Sequence, residues 1–467
     1  MSPSAVRLLF HGTLLGVFLL SVSACSRFGQ TETPEGGRSL SYKRGEPDFD
    51  MEAVETADSV SGFELFLRIP QNSLIFLKRE AFYAASFEIR VQCLSDLDRW
   101  SQIDELWSDS VRTQSAGGSQ QFEETLIRRR FAVDPGTYLV EVSLQDMNTG
   151  ITAHRRQSVR VLDFLSDCSA FARIRLEYRT ARGMTPYLPL HIRENVDSLR
   201  ALLAIYRPSN IRDGTVRATL IQYPTDSVIS TPPYFITPVA WSLRSRGVDL
   251  NRPCTLWTAR RQVTGDGPRT LAFDIGHLEK GMHELVVDAL LDSCGHREGG
   301  QMLRQRRYLC IVNRDFPHLT TLGQLIEVLP YLARESEYRE FFSPGADRLR
   351  LFEKFWMSLG GNAENTKNLM KNYYARAEEA NLLFSNHKEG WKTDRGMIYI
   401  VFGPPSLTER QYSTETWSYS SGYRFIFERI RRLQGDLPFE NHVLYRDQVY
   451  ERAWTNEVDR WRRGVVF

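Results

Sequence analysis

The chain has 467 residues, 42% of them hydrophobic, and a formal net charge of +2. At roughly 100 to 200 residues per domain this is enough for about three folded cores, which excludes disorder throughout. Near-balanced charge, with no Lys/Arg run interleaved with aromatics, excludes a track along a phosphate backbone and hence nucleic acid as a partner.

The first residues follow the order of a signal peptide over 1–24: a positive charge at Arg7, a mostly apolar stretch from Leu8 to Leu20, then Val22-Ser23-Ala24 directly before Cys25. The apolar stretch is shorter than the ~20 residues a helix needs to cross the hydrocarbon core, which argues against a permanent span. Leu20 to Cys25 resembles the lipobox of bacterial lipoproteins. That resemblance implies removal of the leader, acylation of Cys25 with palmitate-type chains, and anchorage to a lipid bilayer. Each buried CH₂ contributes about 0.8 kcal/mol, so several chains hold firmly. With no Asp after Cys25, the resemblance implies an outer-membrane position facing the periplasm.

Residues 25–60 are polar and rich in Gly, Glu, Ser and Pro, the composition of a flexible tether. Residues 61–165 change to short runs dense in Val, Ile, Phe and Tyr, such as Phe63 to Leu67, Phe87 to Val91 and Thr137 to Val142, and read as a β-sandwich. Residues 166–314 repeat that character. Each block closes on a similar hairpin: Gly136 leads into one, with a turn near Asn148-Thr149-Gly150, and Gly281 leads into the other. Two tandem β-sandwiches are expected.

Five cysteines remain beyond Cys25: Cys93, Cys168, Cys254, Cys294 and Cys310. The odd count leaves at least one thiol outside any intramolecular disulfide, and both a disulfide in the second sandwich and burial as small apolar groups are open.

Beyond Asn313 the apolar period switches to about 3.6, and residues 315–386 read as a helical segment. Leu322, Leu325, Ile326 and Leu329 form one face; Leu349, Phe352, Trp356 and Leu359 a second; Leu369, Tyr373, Ala377, Ala380 and Phe384 a third. Thr320 or Thr321 is an expected N-cap, and Gly360-Gly361 a stop. Residues 387–467 are expected to form a small α+β domain with an antiparallel sheet. Its Met397 to Phe402, almost wholly apolar, reads as a strand buried on both faces, with further strands at 414–419, 423–428 and 442–445. Tyr450, Trp454, Val458 and Trp461 mark a closing helix. The fold class is thus multidomain, mainly β plus α+β.

Gly390-Trp391-Lys392-Thr393-Asp394, continuing through Gly403-Pro404-Pro405, resembles the signature of the GWxTD-domain family of envelope proteins. Asn372 to Ala377 with Ala380-Asn381 is similar to the family's preceding helix, and Glu415 to Tyr419 to its aromatic strand. Ser406 stands where the family often has an acidic residue, and Gly360-Gly361-Asn362 where it commonly has Arg-Asp-Pro. The resemblance implies fold and compartment; it carries over no activity.

No nucleophile elbow, His-Glu-x-x-His or phosphate loop is present, and Cys294 with His296 lacks a second ligand pair, so no metal or cofactor is expected. Asp394, in a polar turn beside Trp391 and Arg395, is the best acid–base candidate, yet a turn-capping role explains the same residues. Trp391, Thr393, Asp394, Arg395, Trp417 and Tyr419 are the candidate binding residues: an aromatic wall beside two charges suits a glycan, a peptide or a partner's surface, and the competing reading is that the rings are core. The expected function is that of a membrane-anchored, non-enzymatic binding or scaffold protein with an envelope protein partner; the alternative is an envelope hydrolase or glycan-binding protein with Asp394 near its site.

Overall fold

The computed structural model of the protein describes residues 47–465 except 57–60, 96–100, 115–123, 162–169, 181–182, 189, 195, 197, 208–213, 237–246, 265–266, 292–300, 412, 431–438 and 440. The expected leader, Cys25, the expected tether up to residue 46, Cys168, Cys294 and His296 lie outside the described residues.

The first sandwich begins inside the expected tether. β1 (Asp50–Glu55) pairs antiparallel with β2 (Gly62–Pro70). Glu52 is buried and breaks the apolar alternation, so composition alone makes this segment look like linker. A buried side-chain amide helps fix it: Gln157 accepts from the Ala53 N–H at 3.0 Å and donates to the Ala53 carbonyl at 2.9 Å. β3 (Leu77–Lys78), β4 (Tyr83–Ser95), β5 (Ser101–Thr113), β6 (Glu124–Ala132), β7 (Gly136–Asp146) and β8 (Thr152–Val161) follow. One sheet has the order β1-β2-β6; the other is β3-β4-β7-β8, with β5 also on β4. Along β4, Ala85, Phe87, Ile89, Val91 and Cys93 point inward at alternate positions and share a core with Phe63, Leu65 and Leu67 of β2.

The second sandwich comprises β9 (Ala170–Phe171), β10 (Arg175–Thr180), β11 (Gly183–Pro186), β12 (His191–Arg193), β13 (Arg200–Arg207), β14 (Gly214–Tyr223), β15 (Cys254–Val263), β16 (Gly267–Asp274), β17 (Gly281–Leu291) and β18 (Gln301–Val312). Its sheets are β11-β10-β13-β16, with β9 on β13, and β12-β18-β17-β14-β15. Leu203 and Ile205 of β13 meet Val216, Ala218, Leu285 and Val287 of the opposite sheet. Both expected closing hairpins are present, as β7–β8 and β17–β18. Cys93 and Cys310 are buried free thiols and Cys254 is an exposed one.

The helical segment and the C-terminal sheet share one core and are not two separate bodies. The helices are α1 (Leu322–Val328), α2 (Glu335–Glu340), α3 (Arg348–Gly360) and α4 (Ala363–Phe384). Thr321 caps α1 in a capping box with Gln324, and Gly361, at φ 71°, ends α3. Leu349 is exposed; Phe355 takes its place beside Phe352, Trp356 and Leu359 on the buried face of α3.

The segment expected as a buried strand is a helix, α5 (Asp394–Phe402). A short apolar run has no period that separates a buried strand from a buried helix. The decision lies at its ends: Thr393 caps the first turn, accepting from the Gly396 N–H at 3.1 Å, and Gly403, at φ 79°, terminates it. β19 (Leu407–Arg410), β20 (Thr414–Ser418), β21 (Arg424–Ile430) and β22 (Asn441–Leu444) then form an antiparallel meander, and α6 (Tyr450–Arg462) closes the chain. Among the described residues no helix is long and apolar enough to cross a membrane.

Candidate functional site: the Gly390–Asp394 turn

The signature forms a 3₁₀ turn over Gly390–Lys392 that runs directly into α5. Its glycines are required by contact. A Cβ on Gly390 falls 1.8 Å from the Ala380 carbonyl oxygen, and one on Gly396 falls 1.9 Å from that of Gly390. The turn therefore lies flat against α4 on one side, and the first turn of α5 lies flat against it on the other.

Its backbone groups are then satisfied one by one. The Trp391 N–H donates to Asn381 Oδ1 at 3.2 Å, and Asn381 Nδ2 donates to the Pro317 carbonyl at 2.8 Å. Tyr331 donates its hydroxyl to the Trp391 carbonyl at 2.7 Å, and Thr393 donates its own to the Gly390 carbonyl at 2.7 Å. The Trp391 ring is 3% exposed, with Lys392 Nζ 5.0 Å from its centroid.

Asp394 is buried at the head of α5 and is fully engaged. Its Oδ2 accepts from the Leu444 N–H at 2.7 Å and from Arg446 at 3.1 Å, while Oδ1 accepts from Arg446 at 2.6 Å. Burial pushes the carboxyl up, but the Arg446 guanidinium, with the Leu444 N–H and Ser230, outweighs it and holds the group below the ordinary aspartate value. An acid or base at neutral pH needs the opposite displacement. The geometry makes Asp394 a fixed anion joining the start of α5 to the end of β22.

Arg395 lies over the Phe384 ring at 5.2 Å and 3.7 Å from Glu415. Glu415, 2% exposed, accepts from Trp417 Nε1 at 2.6 Å and from Arg410 at 3.1 Å, with His442 Nε2 at 3.7 Å. Burial first, and then Arg395, hold the His442 ring neutral to well below its ordinary range, against the pull of Glu415.

The expected aromatic wall is interior. Trp417 is fully enclosed between Phe384 and Phe427, with ring centroids at 5.5 and 4.8 Å. Tyr419 is half-buried against Phe402 and Phe425 and donates its hydroxyl to the Gly403 carbonyl at 2.9 Å. The alternation of β20 turns Glu415 and Trp417 inward together, so neither presents a face to an outside ligand. Trp391, Thr393 and Asp394 are brought together; Arg395, Trp417 and Tyr419 belong to neighbouring parts of the same core.

Sequence reading missed Arg446, Tyr331 and Ser230 as partners of the turn. Asn381 was visible only as part of the helix that precedes the signature. Arg376 was missed as well: it donates to the Ile400 and Val401 carbonyls at 3.2 and 3.3 Å, satisfying the end of α5 while lying 5.1 Å from the Trp461 ring centroid. None of these partners carries a local pattern, since each acts from a distant element.

Residues 298–463 match the family model of the GWxTD domain. No curated protein matches the chain. Among solved structures, red sea bream transglutaminase aligns at 9% identity over 56% of this chain and 31% of its own, with a TM-score of 0.18. The aligned part thus spans less than a third of that enzyme, and a likeness so low carries no argument.

Proposed function

We propose, from a chain whose residues 298–463 form a GWxTD domain, that this is an exported, lipid-anchored envelope protein with a non-enzymatic binding or scaffold role. In this reading Cys25 carries the acyl chains, the body works at the periplasmic face of the outer membrane, the two sandwiches serve as spacer and docking surface, and the GWxTD domain contacts an envelope protein partner. The observation that supports a non-catalytic role is the state of Asp394: the best acid–base candidate in the sequence is spent on Arg446 and the Leu444 N–H. The order Arg7, apolar stretch, Val22-Ser23-Ala24, Cys25 supports the anchor.

Two measurements test the reading. Cys25→Ala should move the protein from the membrane to the soluble periplasmic fraction, and mass spectrometry of the wild-type N-terminal peptide should find acylated Cys25. An unprocessed Met1 without fatty acid sinks the anchor. Purification of the acylated protein from solubilised envelopes should recover a stoichiometric protein partner. Recovery of the chain alone, together with turnover of an envelope glycan or peptide that Asp394→Asn abolishes without unfolding, sinks the non-enzymatic role.

A further inference from the structure

Between β14 and β15 the second sandwich sends out a long connection whose described parts are residues 224–236 and 247–253. The two pair at their base, where the Asp226 N–H donates to the Gly247 carbonyl at 2.8 Å and the Asp249 N–H to the Pro224 carbonyl at 2.9 Å. Beyond that base the outgoing part crosses to the GWxTD turn. It forms no ladder there. Its contacts are those of a bound peptide. The Ser230 N–H donates to the Lys392 carbonyl at 3.1 Å, and the Ser230 hydroxyl is 3.0 Å from the same oxygen. Arg446, the partner of Asp394, donates to the Thr231 carbonyl at 3.2 Å, and the Asp447 N–H donates to the Pro233 carbonyl at 3.2 Å. Upstream, Lys388 Nζ meets Asp226 at 3.1 Å and the Val228 carbonyl at 2.7 Å. Pro233 is buried, and Ile229 and Tyr234 pack on the C-terminal core.

We propose that the groove between the GWxTD turn and the Arg446–Asp447 corner is a peptide-docking site, whose ligand class is a segment of the Ile-Ser-Thr-Pro-Pro-Tyr kind ending in a turn at its prolines, and that residues 226–235 occupy it in cis. Recognition is of two sorts. Donors and acceptors from Lys392, Arg446 and Asp447 read the peptide main chain, which fixes direction and register but not sequence. Sequence enters at Ser230, whose hydroxyl sits against Lys392, and at the apolar positions 229, 233 and 234. Pro232 and Pro233 fix the backbone where the segment turns, the Phe235 N–H donating to the Pro232 carbonyl at 3.0 Å, and so lower the ordering cost of docking.

This assigns a role to the signature itself. The Trp391 and Lys392 carbonyls are consecutive: the first is held by Tyr331 and the second receives the segment. Asp394 fixes Arg446 so that the same terminal nitrogen that donates to Asp394 Oδ1 also donates to the Thr231 carbonyl. The signature thus acts as the receptor for a strap from the preceding domain. Docking of this strap needs neither the lipid anchor nor an outside partner.

The test uses the full chain in three forms of measurement. In the wild type, hydrogen exchange at the Ser230 amide should be at least about tenfold slower than in a free chain; exchange at the free-chain rate overturns the proposal. Ser230→Pro removes the donated N–H and should raise proteolysis within 224–236 while tryptophan fluorescence of the C-terminal core stays native. A synthetic peptide of residues 226–235 should then bind Ser230→Pro saturably but not the wild type, whose own strap competes at high effective concentration. The same peptide carrying Pro at the Ser230 position should not bind. Equal binding of both peptides, or none by a loosened and folded variant, overturns the proposal. If Ser230→Pro does not fold, the exchange measurement on the wild type still decides.

Discussion

Asp394 and Arg446, 52 positions apart, face each other as a forked ion pair in which each carboxylate oxygen accepts from one guanidinium nitrogen, at 2.6 and 3.1 Å. Asp394→Asn leaves that guanidinium without its anion, and removing one partner of a buried pair costs about 3–5 kcal/mol. The expected result is a lower urea midpoint for the C-terminal domain. Adding Arg446→Met should recover part of the loss, because the uncompensated charge is gone. Unchanged stability in the single variant contradicts the assignment.

Gly390→Ala and Gly396→Ala each drive a methyl group into a backbone carbonyl oxygen, 1.8 and 1.9 Å away respectively. Neither oxygen can move without parting α4 from the turn or the turn from α5. Each variant should lose more than about 4 kcal/mol, seen as loss of cooperative unfolding or of soluble expression. Gly422→Ala is a useful control: its φ of 85° brings strain, but nothing lies within 4 Å of the added atom.

Asn381 serves two backbone groups at once, the Trp391 N–H and the Pro317 carbonyl. Asn381→Leu keeps the volume and leaves both buried, at about 1–3 kcal/mol for each unsatisfied group. Thermal unfolding of the C-terminal domain measures it. Asn381→Asp separates the two contacts, since it keeps the acceptor for Trp391 and removes the donor to Pro317.

Acid sensitivity should begin near neutrality. In the unfolded chain His442 takes up a proton near its ordinary value of 6.5, whereas in the native domain burial, and then Arg395, Arg429 and Arg410, prevent this despite Glu415. Protons therefore favour the unfolded chain, and stability falls as pH drops below 6.5. Asp394 continues the trend lower down. Its native value lies below the ordinary 3.8, because Arg446 outweighs burial, so its contribution is present above 3.8 and is lost as pH falls through the native value. Urea midpoints between pH 7 and 5, a range of about two units around the histidine value, should fall in the wild type and stay flatter in His442→Gln. Equal slopes count against the assignment.

Thiol reactivity should follow burial. Burial raises Cys93 to about 11 and Cys310 to about 12, the latter with a small push from Glu389, while Cys254 is exposed. Maleimide labelling followed by peptide mapping should mark Cys254 in the native protein and the other two only in denaturant.

What could be read from the sequence was periodic. The alternation in β4 and β7, and the helical faces of α4 and α6, follow from positions that bury one side of a local element, and such elements announce themselves. β1 did not, since part of its partnership is the side chain of Gln157 in a strand 104 positions away. α5 did not either, because a helix enclosed on every side has no polar face to set its period. The candidate site was legible as a motif but not as a geometry. Thr393 and Asp394 were visible as turn residues, whereas the direction of Trp417 and the identity of Arg446 depend on which elements meet.

β18 bears on where this polypeptide can be divided. Arg307 on this strand pairs with Glu52 of the first sandwich, and Cys310, three positions on, donates its thiol to the Asn386 carbonyl of the C-terminal domain at 3.3 Å. The same strand is interior to its own sheet, flanked by β12 and β17. Yet the family match starts at residue 298, ahead of the whole strand. Expression of that matched stretch alone would carry off an interior strand of a neighbouring body and leave a gap between β12 and β17 in what stays behind. A fragment meant to fold by itself should start after Asn313, and one meant to represent the region faithfully should keep all three bodies together.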